Sequence, residues 1–403
     1  MSATIDPALP GRSAEPGSGP AATPARGPRL LILSARFGGG HKTVAEALAD
    51  WWERHAPGGK VEILDYYDEF VHPFTTLAAS VGYTQSVRLL PVAYRIFYET
   101  TRDLPPRSPA QHWLNTLGVR ALEEHLKNHE YDLIVAVHPT PSGALSFLRQ
   151  QGLQVPVATV ITDYVVHNQW IHNHTDLYLV GSEEVRDGLI RRGVPTDRVR
   201  ATGIPIRINT GLLEQRELLQ EKWGLRSGLP TVLVMTGAQG LMRKPWRLFH
   251  TVAARPVQGF FLCGKDRSLM ARLKLQSHRY PEFRILPFVR VVPELMAISD
   301  ILVTKAGGLT TSEALAMELP MIIFHPIPGQ EYANRDYLVK AGAAVSVDTM
   351  RELGRELDAL CAAPGRLARM REATRQIRRP DAAAEAGAEM LKLAHERWRW
   401  SKT

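Results

Sequence analysis

The chain has 403 residues, enough for about two or three domains, and its 44% hydrophobic content supports large buried cores. Its 49 basic and 41 acidic residues give a net charge of +8, which favours an anionic partner such as a nucleotide or an anionic membrane surface. The sequence has no dense Lys/Arg run with interleaved aromatic residues, so nucleic acid is not expected as a partner.

The start of the chain and its two cysteines indicate the cellular setting. Residues 1–28 are rich in Pro, Gly, Ala and Ser and lack apolar periodicity, which predicts a disordered tail. No signal-peptide pattern occurs there, and no apolar run reaches the ~20 residues that span a bilayer. Cys263 and Cys361 lack disulfide or metal-site spacing, so we expect core thiols in a reducing cytosol. Any membrane contact would then be peripheral, on the inner face of the cell membrane.

The ordered chain is predicted to begin with a buried strand at residues 30–33, a glycine loop and a helix over 43–52. The loop contains Gly38, Gly39, Gly40 and His41. Its glycines allow a close approach of the backbone to a ligand, but they depart from GxGxxG, so NAD is not predicted. A histidine at this junction can act as a general base, or it can simply bond to the local backbone.

The segment 70–104 is apolar and aromatic, carries interspersed arginines (Arg88, Arg95 and Arg102), and is broken by two prolines. One interpretation is an amphipathic insertion that faces a membrane, with aromatic residues at the interface and arginines at the head groups. The other is a pair of core helices that cap the domain. Composition alone leaves both open.

Polar residues follow several strands of the first half. An amphipathic helix is predicted over 113–126, and strands are predicted over 133–137 and 157–161. His138, Asp163 and His167 follow the ends of these strands. Because ligands of open parallel sheets bind at the carboxyl ends of strands, these three are candidate site residues.

A second α/β unit is predicted to begin near Gly228. Strands over 231–235 and 283–286 lead into loops that contain Gly237 and the pair Phe288 and Val289. The two halves suggest two doubly wound domains that face a cleft, and we place them at 29–206 and 207–378. Residues 379–403 are predicted to form a terminal helix that packs back on the first domain.

The most informative stretch is 304–313, TKAGGLTTSE, which follows a predicted strand over 300–303 and opens a helix predicted over 311–317. A glycine turn at a helix N-terminus allows amides to approach a phosphate, and the helix dipole adds partial positive charge. A tight turn without a ligand would look similar. Glu313, one turn into the helix, could accept hydrogen bonds from ribose hydroxyls. A second loop, 325–334, follows the strand predicted over 321–324 and would line the same pocket.

These motifs resemble those of the monogalactosyldiacylglycerol synthases and the bacterial processive diacylglycerol glycosyltransferases, which are grouped with the lipid-II-forming N-acetylglucosaminyltransferase. The resemblance covers residues from about 29 to 375. It lies in residues 34–41, 138–139, 162–164 with His167 and Trp170, 286–289, 294–296 with Asp300, 304–313, and 326–331 with Asn334.

The resemblance implies a GT-B fold and a UDP-sugar-dependent hexosyltransferase that inverts the anomeric carbon of the sugar and acts on diacylglycerol or a glycolipid. It implies no cofactor, since the UDP-sugar is a substrate. No metal is expected either, because helix N-termini and amides can stabilise the charge that grows on the diphosphate. The nucleotide-sugar site would comprise Gly237, Phe288, Val289, Lys305, Gly307, Gly308, Thr310, Glu313, Gln330, Glu331 and Asn334. His41 would be the base, with Asp163 assisting, and Gly38, Gly39, Gly40 and His167 would line the acceptor side.

Three other functions stay open at this point. One is a UDP-sugar epimerase, which shares the two-domain architecture and would release free sugar without an acceptor. A UDP-sugar transferase could act on a polyprenyl-diphosphate-linked or another hydrophobic acceptor. A regulator could bind nucleotide sugars without turnover, although His41 and the Gln330–Glu331 pair argue mildly against lost catalysis. The sequence names neither the sugar nor the exact lipid.

Overall fold

The computed structural model describes residues 26–35, 40–72, 96, 98–100, 102, 108–237, 242 and 244–400. Gly38, Gly39 and most of the segment 70–104 lie outside these residues, so the predictions made for them are not addressed by the structure.

The first domain is built on a six-stranded parallel sheet in the order β2-β1-β3-β4-β5-β6. Its strands are β1 (Arg29–Ser34), β2 (Lys60–Asp65), β3 (Leu133–Ala136), β4 (Val157–Val160), β5 (Leu177–Leu179) and β6 (Val199–Arg200). Its helices are α1 (Gly40–His55), α2 (Tyr66–Phe70), α3 (Pro109–Thr116), α4 (Val119–Asn128), α5 (Pro139–Gln150) and α6 (Glu183–Arg191).

The second domain has a parallel sheet in the order β12-β11-β10-β7-β8-β9. Its strands are β7 (Thr231–Met235), β8 (Gln258–Leu262), β9 (Phe283–Leu286), β10 (Ile301–Thr304), β11 (Met321–Phe324) and β12 (Ala344–Val347). The helices are α7 (Arg216–Lys222), α8 (Pro245–Ala253), α9 (Arg267–Lys274), α10 (Val292–Ile298), α11 (Gly308–Ala316), α12 (Gln330–Lys340), α13 (Met350–Cys361), α14 (Pro364–Ile377) and α15 (Ala382–Trp400). Short 3₁₀ turns lie at Asn168–Trp170, Thr196–Arg198, Thr210–Leu212 and Ser277–Arg279.

The predicted helix over 113–126 is wrong as a single element, because the chain forms α3 and α4 there. Gly118, with φ +75°, separates them in the left-handed region that favours glycine. A side chain would not fit, since a Cβ on Gly118 would lie 2.9 Å from the carbonyl oxygen of Phe70.

Both faces of the central strands are buried, as parallel sheets require. In β1, Leu30 and Ile32 pack in one core, and Leu31 and Leu33 pack in a second core on the opposite face. The first of these cores continues into the second domain, where it includes Leu302 of β10. The two domains therefore share apolar packing next to the cleft.

Helix α15 leaves the second domain and returns to the first, where it packs against α1. Gly387 allows this close contact, since a Cβ there would lie 2.1 Å from the Trp51 ring. Arg200 and Glu389 form an ion pair of 3.3 Å beside it. The C-terminal helix thus ties the two domains together.

Candidate active site

The strand order of each sheet reverses once, between β1 and β3 in the first domain and between β7 and β10 in the second. Ligands of open parallel sheets bind outside the carboxyl ends of the strands at such a reversal. The residues at the two reversals are Gly40 and His41 in the first domain, and Gly237, Gly307 and Gly308 in the second. The two sites adjoin, because a Cβ on Gly40 would lie 3.6 Å from Cβ of Leu309.

The N-terminus of α11 carries the glycine turn that the sequence predicts to bind a phosphate. The helix begins at Gly308, three residues earlier than predicted, and Gly307 is its N-cap. Glycine has no side chain with which to cap the first amides, so these amides are left for an anion or water. Thr310 is half-buried in this first turn. The geometry suits a diphosphate, as the sequence pattern predicts.

Lys305 carries a positive charge along the same wall. Its Nζ lies 3.0 Å from Oε1 of Glu331, and both side chains are largely buried. Oε2 of Glu331 accepts a hydrogen bond of 2.6 Å from the Ile327 amide. Lys305 also runs beside Gly237, whose Cβ would lie 3.3 Å from Cε of the lysine. Glu331 therefore orients Lys305, while the sugar contact predicted for Glu331 stays a prediction.

Glu313 lies in the middle of α11, where burial raises the pKa of its carboxyl to about 7. A carboxyl group in this range is both protonated and ionised at neutral pH. Hydroxyl groups that donate to the ionised form would stabilise it. Glu313 is thus suited to accept hydrogen bonds from the ribose hydroxyls, as predicted from the sequence.

The loop after β9 contains the residues predicted to meet uracil. The Phe288 side chain is 59% exposed, and its amide donates to the carbonyl oxygen of Gly264 over 2.9 Å. Val289 packs against the shared core. The Phe288 amide is therefore engaged within the protein, so a base contact through this amide would first require the Gly264 bond to break.

His41 lies in the first domain, at the start of α1. Its Nδ1 is 3.3 Å from Oγ1 of Thr162, and its ring is hydrogen-bonded to the backbone of Val137. The ring edge of His138 packs against it, with centroids 5.1 Å apart. Burial lowers the pKa of His41 to about 4, so the imidazole is neutral near pH 7, although it is a weaker base than a free histidine.

The structure brings a polar cluster to His41 that sequence reasoning did not assemble. The side chain of His138 caps α5 by accepting from the Thr140 amide over 3.3 Å. Tyr67 places its ring 5.6 Å from His138 and its hydroxyl 2.7 Å from Oγ1 of Thr140. The signal available was the DYYD run after β2, which follows a strand end as His138 does.

Asp163 follows β4 and lies at the boundary between the domains. Its Oδ1 accepts a hydrogen bond of 2.9 Å from Nδ2 of Asn334, which belongs to α12 of the second domain. Burial raises the pKa of Asp163 to about 6; the hydrogen bond from Asn334 opposes this shift, and the charge of Glu331 adds to it. Asp163 is thus a stronger base than an ordinary carboxylate.

Two further predicted residues flank the cleft. His167 is buried, caps the short turn Asn168–Trp170, and packs its ring 4.9 Å from that of Tyr98. Gln330 is half-buried at the start of α12, next to Gly329, whose Cβ would lie 2.7 Å from the Tyr98 ring. Tyr98 therefore contacts both domains, and the ligand contacts of His167 and Gln330 stay predictions.

Comparisons with known families agree with this geometry. A family model described as monogalactosyldiacylglycerol (MGDG) synthase matches residues 41–206, and one described as glycosyltransferase family 28 C-terminal domain matches residues 228–386. The chain is similar to a processive diacylglycerol beta-glucosyltransferase of Bacillus cytotoxicus, with 31% identity over 373 residues that cover 92% of this chain and 95% of the relative.

Comparison with solved structures provides independent evidence for the fold. MurG of Acinetobacter baumannii superposes with a TM-score of 0.61 and 15% identity, covering 91% of this chain and 99% of that chain. A UDP-glucosyltransferase of Polygonum tinctorium superposes with a TM-score of 0.58 and 14% identity, covering 92% and 99%. At these identities the likeness shows the fold alone, and the predicted GT-B fold is confirmed.

Proposed function

The chain belongs to the family of the processive diacylglycerol beta-glucosyltransferases, and on that premise we propose that it transfers a hexose from a UDP-sugar to diacylglycerol or a glycosyldiacylglycerol. The observation that carries the proposal is the contact between the two sites. The α11 glycine turn of one domain adjoins the loop that holds Thr162 and Asp163 in the other. A donor phosphate at α11 would lie beside groups that can accept a proton.

The reaction follows from this arrangement. The acceptor hydroxyl oxygen forms a bond to the anomeric carbon while the bond from that carbon to the UDP oxygen breaks. The hydroxyl proton passes to a base, and UDP leaves with the bonding electrons. Attack on the face opposite the leaving group inverts the anomeric carbon.

Negative charge grows on the diphosphate as UDP leaves. The N-terminal amides of α11 and the cation of Lys305 lie where they can stabilise it, and preorganised donors of this kind are worth about 10²–10³ in rate each. Because these groups supply positive charge, we propose that transfer needs no bound metal. Glu313 would hold the ribose, and Gln330 would meet the sugar hydroxyls.

Two groups are suited to take the hydroxyl proton. We assign His41 as the base because its ring is neutral near pH 7 and lies at the reversal of the first sheet. Asp163 assists, either by orienting the acceptor or by stabilising the charge on the imidazolium that forms.

A membrane surface is the proposed source of the acceptor. No helix in the described part of the chain has the length and apolar character needed to cross a bilayer. Trp113 of α3 and Ile96 are 60% and 57% exposed, and exposed tryptophan and aliphatic side chains of this kind can enter the head-group region of a bilayer. With its net charge of +8, the protein as a whole would bind anionic lipid on the inner face of the cell membrane.

Transfer from a panel of radiolabelled UDP-sugars into diacylglycerol vesicles, with and without a chelator, tests the proposal. Label in an organic-extractable glycolipid of inverted anomeric configuration, at a rate unaffected by the chelator, is the expected result. UDP binding without labelled lipid from any donor would overturn the lipid acceptor, and polyprenyl-linked acceptors would then be tested.

A further inference from the structure

Asn334 of α12 is completely buried, and its side chain joins the two domains. Its Oδ1 accepts from the Tyr164 amide over 2.7 Å, and its Nδ2 donates to Oδ1 of Asp163 over 2.9 Å and to the Ala306 carbonyl over 3.0 Å. An amide N–H can only donate, whereas a carbonyl or ionised carboxylate can only accept. The partners thus determine which way the Asn334 amide points.

Asp163 is held at the donor phosphate site. Its Oδ1 lies 3.4 Å from the position that a Cβ on Gly308 would occupy, so the carboxyl group contacts the first residue of α11. The carboxyl group of an unrestrained aspartate samples several χ1 rotamers and a broad range of χ2. Here one oxygen is fixed by a residue of the opposite domain.

We propose that Asn334 is a positioning residue that orients the Asp163 carboxylate toward the reacting hydroxyl only while the two domains are docked. This role rests on the proposed function, and it differs from the nucleotide-sugar contact predicted for Asn334 from the sequence. Both amide hydrogens of Asn334 are already used within the protein, so a sugar hydroxyl would have to displace Asp163 or Ala306 to receive one.

The loop that carries Asp163 has other attachments to the second domain. Ser312 donates to the Gly308 carbonyl over 2.7 Å, so the Tyr164 hydroxyl, 2.7 Å from Ser312 Oγ, is the donor in that pair. The Tyr164 ring stacks on Tyr337, with centroids 4.5 Å apart. These contacts dock the loop without Asn334, so removal of the Asn334 amide should affect Asp163 more than it affects docking.

The charges around Asp163 determine how the loss of Asn334 would change its titration. Glu331 of α12 raises the pKa of Asp163, and Lys305 is paired with Glu331. His41 of α1 contacts the neighbouring Thr162. The hydrogen bond from Asn334 favours the ionised carboxylate. Without this donor, the pKa of Asp163 rises further, and its base form is lost at a higher pH.

The test compares Asn334→Ala and the isosteric Asn334→Asp with Tyr164→Phe, which removes an interdomain hydrogen bond from the same loop without touching Asp163. For each variant, kcat/KM for the acceptor is followed from pH 5 to 9 at saturating UDP-sugar, so that the titration of Glu313 on donor binding does not contribute. Loss of a hydrogen bond to a charged group predicts a fall of about 10–100-fold for Asn334→Ala. The acid limb should move to higher pH in both Asn334 variants, and furthest in Asn334→Asp, where two carboxyl groups would share one site. In Tyr164→Phe the acid limb of the pH profile should stay at the wild-type pH.

A second measurement does not depend on transfer. Titration of ¹³C-labelled aspartate, with Asp163→Asn to assign the signal, reports the Asp163 pKa directly in the folded protein. An unmoved Asp163 titration in both Asn334 variants would overturn the positioning role. If the Asp163 pKa shifts in the Asn334 variants but the wild-type protein transfers no sugar, the coupling between Asn334 and Asp163 is retained and the proposed function is overturned.

Discussion

A Cβ atom on Gly308 would lie 2.0 Å from the carbonyl oxygen of Thr162, on the opposite side of the cleft. The first residue of α11, the helix predicted to bind phosphate, is thus in direct contact with the Thr162 loop of the first domain. Backbone contact this close leaves no space for any side chain.

Gly308→Ala should therefore force the domains apart and lower transfer by at least about 100-fold, because small misplacements of reacting groups cost this much. Gly307→Ala is the matched variant, since its Cβ would meet nothing closer than Oε1 of Glu331 at 3.8 Å. It should lose less than about tenfold. Transfer rates and small-angle scattering of both variants check this prediction, and equal losses would contradict it.

His41→Ala should lower kcat by about 10²–10⁴ because it removes the proton acceptor. The affinity for UDP should stay near the wild-type value, since His41 belongs to the first domain. His55→Ala is the control, as this exposed histidine lies at the opposite end of α1. Loss of UDP binding in His41→Ala would instead make His41 a donor-site or structural residue.

The pH profile of wild-type transfer should identify which group limits the rate. Asp163 must be ionised to act, and its pKa is about 6, so the rate at saturating UDP-sugar, where Glu313 is already engaged, should fall as the pH drops through about 6. If the protonation of His41 limits the rate instead, the fall should occur near pH 4, because the pKa of His41 is about 4. In Asp163→Asn the limb near 6 should disappear. If this limb persists in Asp163→Asn, another group is responsible.

Glu313→Gln should weaken binding of a UDP-hexose by about 10–100-fold, because this is the loss of affinity expected when hydrogen bonds to a charged acceptor are removed. Ribose hydroxyls favour the ionised carboxylate, so binding should lower the pKa of Glu313 from about 7 and release a proton. Affinity should rise with pH from 6 to 8 in the wild type. Calorimetry in buffers of different ionisation enthalpy measures this proton, and the 2′,3′-dideoxy donor should show no difference between wild type and variant.

Trp113→Ser should weaken binding to anionic vesicles by about tenfold or more, because burial of a large aromatic side chain is worth about 1.5–3 kcal/mol. Leu275→Ser is the control, since this leucine is 79% exposed on the second domain. Vesicle sedimentation checks both. Equal binding of the two variants would place the membrane contact elsewhere, and deletion of residues 70–104 from a protein that stays folded would then be the next test.

Much of the fold could be predicted because its signals are local. The strands at Thr231–Met235 and Met321–Phe324 occur at the predicted residues. The start of α11 was missed by three residues, because glycine is a poor helix former, whereas here the opposing loop requires Gly308. The break at Gly118 was missed for a similar reason, since its cause is a contact with Phe70.

The sequence by itself determined the two α/β units, the glycine turns at strand ends and the residue types of the site, because apolar periodicity and turn chemistry depend on neighbours a few residues apart. Only the tertiary structure decided which of these residues meet. Asn334 and Asp163 are 171 residues apart in the chain, and His41 and Thr162 are 121 apart. Such pairs form only when two sheets dock at the carboxyl ends of their strands, and no local pattern encodes the geometry of that docking.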